Sequence, residues 1–136
     1  MVLWHPIRAV VLLWLAAGAL PAGQARAEIR TAFAWADRAT ADSYAPSAHY
    51  AKSDDAGVRV IRTESGVYRV ALGSLLAGAG HVQVSAYGAT ANGCHIGSWG
   101  SAGASVRCFD PAGRPADTLF TILAIAAERD DGVAYV

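Results

Sequence analysis

Two cysteines, Cys94 and Cys108, flank a glycine-rich bend that runs through Gly97, Gly100 and Gly103, and the chain contains no others. The spacing predicts a β-hairpin closed by a disulfide. If the two cysteines sit opposite each other on antiparallel strands, Ile96 pairs with Val106 and Ser98 with Ala104. Side chains alternate along a strand, so all of these share one apolar face. The other face then carries His95, Trp99, Ser105 and Arg107, with Phe109 just past the second cysteine. A bridge closing a loop of this length stabilises a domain by about 3 kcal/mol in the chain-entropy model.

The start of the chain decides where such a bridge can form. Met1 to Arg8 ends in a basic residue, Ala9 to Leu20 is apolar, and Ala25-Arg26-Ala27 has the small-x-small pattern of a signal-peptidase site. The apolar run is shorter than the roughly 20 residues a membrane-spanning helix needs, and Pro21 and Gly23 break the chain just beyond it. Residues 1–27 therefore read as a cleaved signal peptide, a signal helix removed on export. Residues 28–136 read as one secreted or periplasmic domain with no stable membrane insertion. An oxidising compartment favours pairing of Cys94 with Cys108 over thiol catalysis or metal binding. Cleavage removes Arg8 and Arg26 from the eleven basic residues, leaving nine against eleven acidic ones. A net charge of about two negative units gives no basic surplus for nucleic acid, which is excluded as a partner.

The pattern along the mature chain is that of short strands. Ile29 to Ala36 sets Phe33 and Trp35 in alternation with alanines, a first strand. Ala39 to Ser47 is rich in turn formers, with Tyr44 as its large side chain, and is expected to be a loop. His49 to Lys52 is a short strand candidate. Val58 to Thr63 and Val67 to Leu72 form the clearest hairpin, with Tyr68, Val70 and Leu72 on one face and Arg69 on the other. Gly73 to Gly80 is a loop pinned by Leu75 and Leu76. His81 to Tyr87 alternates strictly, with Val82, Val84 and Ala86 inward. Asp110 to Pro115 is a turn, and Thr118 to Ala127 is a strand apolar on both faces, hence central. A helix over 119–128 competes with it, but Thr118, Thr121, Ile122 and Ile125 favour the strand. Asp131-Gly132 predicts a last hairpin, with Val133 to Val136 pairing back. The whole reads as all-β, an antiparallel β-sandwich of seven to eight short strands, with a small barrel as the alternative.

The motifs Phe33-Ala-Trp35-Ala, Tyr44-Ala-Pro46-Ser47, Val82-Gln-Val84-Ser-Ala-Tyr87-Gly88 and Val106-Arg-Cys108-Phe109 are similar to those of a family of small, uncharacterised secreted bacterial proteins with two cysteines. The similarity extends over nearly all of the mature chain. It implies secretion and a disulfide-bonded β fold, and it brings no activity or catalytic residue with it. The charged segment Glu128 to Asp131 departs from the family pattern.

Motifs for chemistry are sparse. His49, His81 and His95 lie on separate segments without metal-ligand spacing, so no metal and no cofactor is expected. No Gly-x-Ser-x-Gly elbow is present, and Asp54-Asp55 and Asp130-Asp131 sit in turn sequences, so the chain is not read as an enzyme. The candidate binding surface is His95, Trp99, Arg107 and Phe109, an aromatic and hydrogen-bonding face suited to a sugar or a peptide. Against it stands a packing role, with Trp99 folded over the hairpin bend. The expected function is a non-enzymatic binding or structural module outside the cytoplasm, with a polysaccharide or an extracellular protein as partner. A secreted enzyme inhibitor or effector is the alternative, and a small hydrolase ranks third.

Overall fold

A computed structural model describes Met1 and residues 29–53, 57–77 and 80–127. The signal segment and the hairpin expected after Asp131 lie outside these residues. The described strands are β1 (Ile29–Ala36), β2 (Ser43–Tyr44), β3 (Ala51–Lys52), β4 (Arg59–Glu64), β5 (Val67–Ala71), β6 (Gly80–Tyr87), β7 (Gly93–Gly100), β8 (Gly103–Phe109) and β9 (Leu119–Ala127). They form two antiparallel sheets, β3-β1-β9-β6 and β2-β4-β5-β8-β7, packed as a sandwich. A short 3-10 turn at Leu75–Ala77 lies between β5 and β6 and buries Leu75 and Leu76, as the pinned loop predicts.

Nine strands among the described residues exceed the seven or eight expected. The excess comes from pairings too short to leave a periodic signal. Ser43–Tyr44, inside the segment expected to be loop, pairs with Ile61 and Val60 of β4. Tyr44 drives this by burying its ring, while its hydroxyl accepts the backbone N–H of Arg38 at 3.1 Å.

Strand β9 is central, as its apolar character predicts, with ladders to β1 and to β6. Phe120, Ile122, Ala124 and Ala126 face the core. The competing helix is absent.

The core is asymmetric. Its largest fully buried side chains are Tyr68, Phe120, Leu72, Ile122, Val60, Val70 and Val106, most of them from the five-stranded sheet. Strand β1 contributes only Ala32, Ala34 and Ala36. Facing positions interdigitate when large side chains on one layer meet small ones on the other. The alanines are therefore the inward residues of β1, and Phe33 and Trp35 point away from the core.

Cys94 and Cys108 are directly opposed and bonded, and Ile96 pairs with Val106, as the spacing predicts. The register beyond Ile96 differs from expectation. A bulge sets Gly97 and Ser98 together against Ser105, so Ser98 pairs with Ser105 and Trp99 with Ala104. An extra residue is accommodated where one strand position lacks a side chain. A Cβ on Gly97 would lie 3.4 Å from Ser105 Oγ and 3.5 Å from Arg107 Nε, and the Arg107 side chain uses that space.

Candidate functional site

The bulge separates the residues that the sequence groups together. His95 pairs with Arg107, and both are exposed on the outer side of the five-stranded sheet. Phe109, opposite the bare Gly93, stacks on His95 with ring centroids 5.3 Å apart and planes within 3°. Trp99 is 52% exposed, so it is not folded away over the bend, yet its register partner is the buried Ala104. It is therefore out of phase with His95 and Arg107, and borders a shallow depression with Thr63, Arg69 and Ser98.

A second surface, not singled out from the sequence, lies on the outer side of the four-stranded sheet. Because the alanines of β1 fill the core, Phe33 and Trp35 project outward and join two cross-strand rows. One row is Trp35, Thr121 and Ser85; the other is Phe33, Leu123 and Gln83. These residues line a groove of about 840 Å³ whose far wall is Cys94, His95 and Ile96 of β7. Trp35 is 47% exposed, and Leu123 is 37% exposed.

Aromatic neighbours fix the Trp35 ring. Tyr50 stacks on it at 5.7 Å and 24°, and Tyr87 tilts against it at 5.8 Å and 49°. The Trp35 backbone N–H donates to the Tyr50 carbonyl at 2.7 Å, which holds the Tyr50 turn beside β1. Partial burial, with a smaller contribution from Asp37, raises the Tyr87 phenol above its ordinary pKa. Aromatic pairs in such offset or tilted arrangements gain about 0.5–1.5 kcal/mol beyond area burial, which keeps the platform pre-formed.

Chemically the groove offers flat apolar rings at one end and amide and hydroxyl groups from Gln83, Ser85 and Thr121 beside them. Among the described residues no carboxylate lines it. Among the described residues no cluster of three or more His, Cys, Asp or Glu is placed to hold a metal ion. The sequence signal for this surface was present in the Phe33 and Trp35 alternation. What alternation leaves open is which of its two faces is the core.

The disulfide fits an oxidising, extracytoplasmic setting. Comparisons with protein-family models, curated proteins and solved structures find no match to this chain.

Proposed function

We propose that the protein is a secreted or periplasmic, non-catalytic binding module that takes a polysaccharide of the cell envelope on the aromatic groove of its four-stranded sheet. The observation that carries this reading is the half-exposed Trp35, braced by Tyr50 and Tyr87 and bordered by Gln83, Ser85 and Thr121. Exposed aromatic patches rimmed by polar groups are interaction sites. Rings of Trp and Tyr present an apolar face with a polar edge, which suits the apolar face and the hydroxyl rim of a sugar. General acid and base catalysis of glycosidic cleavage uses paired carboxylates, and the described residues of the groove lining supply none.

The test is retention of the processed protein on insoluble cell-wall, plant and fungal polysaccharides, with Trp35→Ala and Trp99→Ala alongside. Retention of the wild type and of Trp99→Ala, with loss by a folded Trp35→Ala, supports the groove. Retention unchanged in Trp35→Ala, or none on any matrix, overturns it.

A further inference from the structure

The outer side of the other sheet carries charge in a geometric order. In the strand register, Arg59 of β4 lies level with Ala71 of β5, Arg69 of β5 level with Ile61 and Ser105, and Arg107 of β8 level with Val67 and His95. The three arginines, all exposed, thus step diagonally across three neighbouring strands and end beside His95 on β7. Diagonal neighbours on adjacent strands lie about 7–8 Å apart. The positions between them are small, apolar or hydroxylic: Ser43, Ile61, Val67, Ala71, Ser98 and Ser105.

Neither Arg69 nor Arg107 has a carboxylate partner among the described residues, whereas Arg62 and Arg114 are each paired with an aspartate. Among the described residues Arg59 donates to Ser43 Oγ at 3.2 Å. Among the described residues Glu64 is the acidic residue on this face. It pairs with Val67, which also pairs with Arg107, and Glu64 and Arg107 line one small depression beside Phe109 and Pro115, so a single carboxylate stands near the Arg107 end of the strip. The bulge at Gly97 adds to the strip, because the missing side chain leaves Arg107 lying open across β7.

We infer that this face is a second binding site, which takes an extended polyanionic glycan bearing carboxylate or sulfate groups. Guanidinium groups bind such oxyanions through paired N–H donors. Converging arginines would mark a site for a single small anion, whereas a straight diagonal suits successive charges along a polymer. The serine hydroxyls between the arginines match the uncharged groups of the sugar rings. This site goes beyond the aromatic groove: the two adjoin at β7, but the arginines stand on the five-stranded sheet and Phe33 and Trp35 on the four-stranded one, so removing one set of side chains leaves the other in place.

The experiment measures binding of polygalacturonate, dextran sulfate, neutral dextran and anionic phosphatidylglycerol vesicles by titration calorimetry at low and at physiological salt. The variants are Arg69→Ala/Arg107→Ala and a charge-matched control, Arg38→Ala/Arg114→Ala. We expect one or both polyanions to bind, neutral dextran not to bind, and added salt to weaken the interaction. The strip variant should lose about tenfold or more in affinity with an unchanged melting temperature, while the control and Trp35→Ala keep it. Equal losses in the strip and control variants would reduce the effect to general charge attraction and overturn the site. Absence of polyanion binding, or binding only to anionic lipid vesicles, would overturn it as well.

Discussion

Arg62 and Asp117 meet in a two-point ion pair, Nε to Oδ1 and Nη2 to Oδ2, each at 2.9 Å, across 55 positions of sequence. The same carboxylate accepts the Gly66 N–H at 2.9 Å and lies 3.3 Å from the Tyr68 hydroxyl. That hydroxyl donates to the Ala39 carbonyl at 2.9 Å and accepts the Thr118 N–H at 3.0 Å. One knot therefore ties the turn between β4 and β5, the segment after β1 and the entry to β9. It fixes the two sheets relative to each other at one end of the sandwich.

Replacing Asp117 with Asn should expose the worth of that knot. The amide keeps the shape but loses the charge, and cannot accept all of these donors at once. Hydrogen bonds to charged groups contribute about 1.5–3 kcal/mol, so a loss of about 2 kcal/mol is expected. For a domain of this size that lowers Tm by on the order of 10 °C, read by circular dichroism. A melting temperature within experimental error of wild type would mean the pair is solvated and idle.

The pH dependence rests on the same groups. Arg62, then the Gly66 N–H, holds the Asp117 carboxyl below its ordinary value of 3.8. A depressed folded pKa gives stability that is present above the unfolded pKa and is lost as pH falls through the folded one. Stability should therefore decline below about pH 4, and less so in Asp117→Asn. Tyr68 acts at the other end. Burial, the leading cause, pushes its phenol up to about 12 from 10.0. The folded state holds this proton more tightly, so its contribution is intact below pH 10 and lost between about 10 and 12. Denaturant titrations across both ranges should show two declines, the alkaline one smaller in Tyr68→Phe but not abolished, since burial also raises the Tyr44 and Tyr87 phenols.

Much of this architecture was legible in the residues, and the failures have physical causes. Alternation located β1, β4, β5 and β6, because strand period is a property of the chain itself, and a run of apolar and branched residues located β9. The opposition of Cys94 to Cys108 followed from their spacing. The inward face of β1 did not, because alanine and tryptophan exchange roles only when the opposing layer supplies Tyr68, Leu72 and Val60. That volume balance is a property of the pair of sheets. The bulge at Gly97 was equally hidden, since a glycine in a strand permits an extra residue without demanding one. Each of these two events moved a tryptophan, and so moved the candidate site.

Gly103 closes the cysteine hairpin at φ +107°, and an added Cβ there would collide with the Val70 carbonyl oxygen. Relief requires β5 and β8 to separate where Val70 pairs with Ala104. Gly103→Ala combines a backbone conformation that disfavours a side chain with a clash against backbone, which cannot rotate away. The expected destabilisation is on the order of 3 kcal/mol or more. Gly93→Ala, with nothing within 4 Å of its new methyl, should change stability little. Comparable midpoints for the two variants in urea would refute the close approach.

The disulfide should stabilise the fold through the chain entropy it removes and through where its two ends sit. The bridge spans 14 positions, for which the loop-closure model gives about 3 kcal/mol. Cys94→Ala/Cys108→Ala, or wild type under reductant, should lose that much while staying folded, since β8 is also held by its ladder to β5. The single serine variants separate the two contributions. Cys108 is fully buried beside Val106 and Ala104, whereas Cys94 is only half-buried at the groove wall. Cys94→Ser leaves a hydroxyl within reach of water and a buried thiol that behaves as a small apolar group. Cys108→Ser places a hydroxyl in the core and should be less stable by a further 1–3 kcal/mol or so. Urea midpoints for the four proteins decide the matter: equal losses in both serine variants would show that only the closed loop counts, and a larger loss for Cys94→Ser would contradict the burial of Cys108.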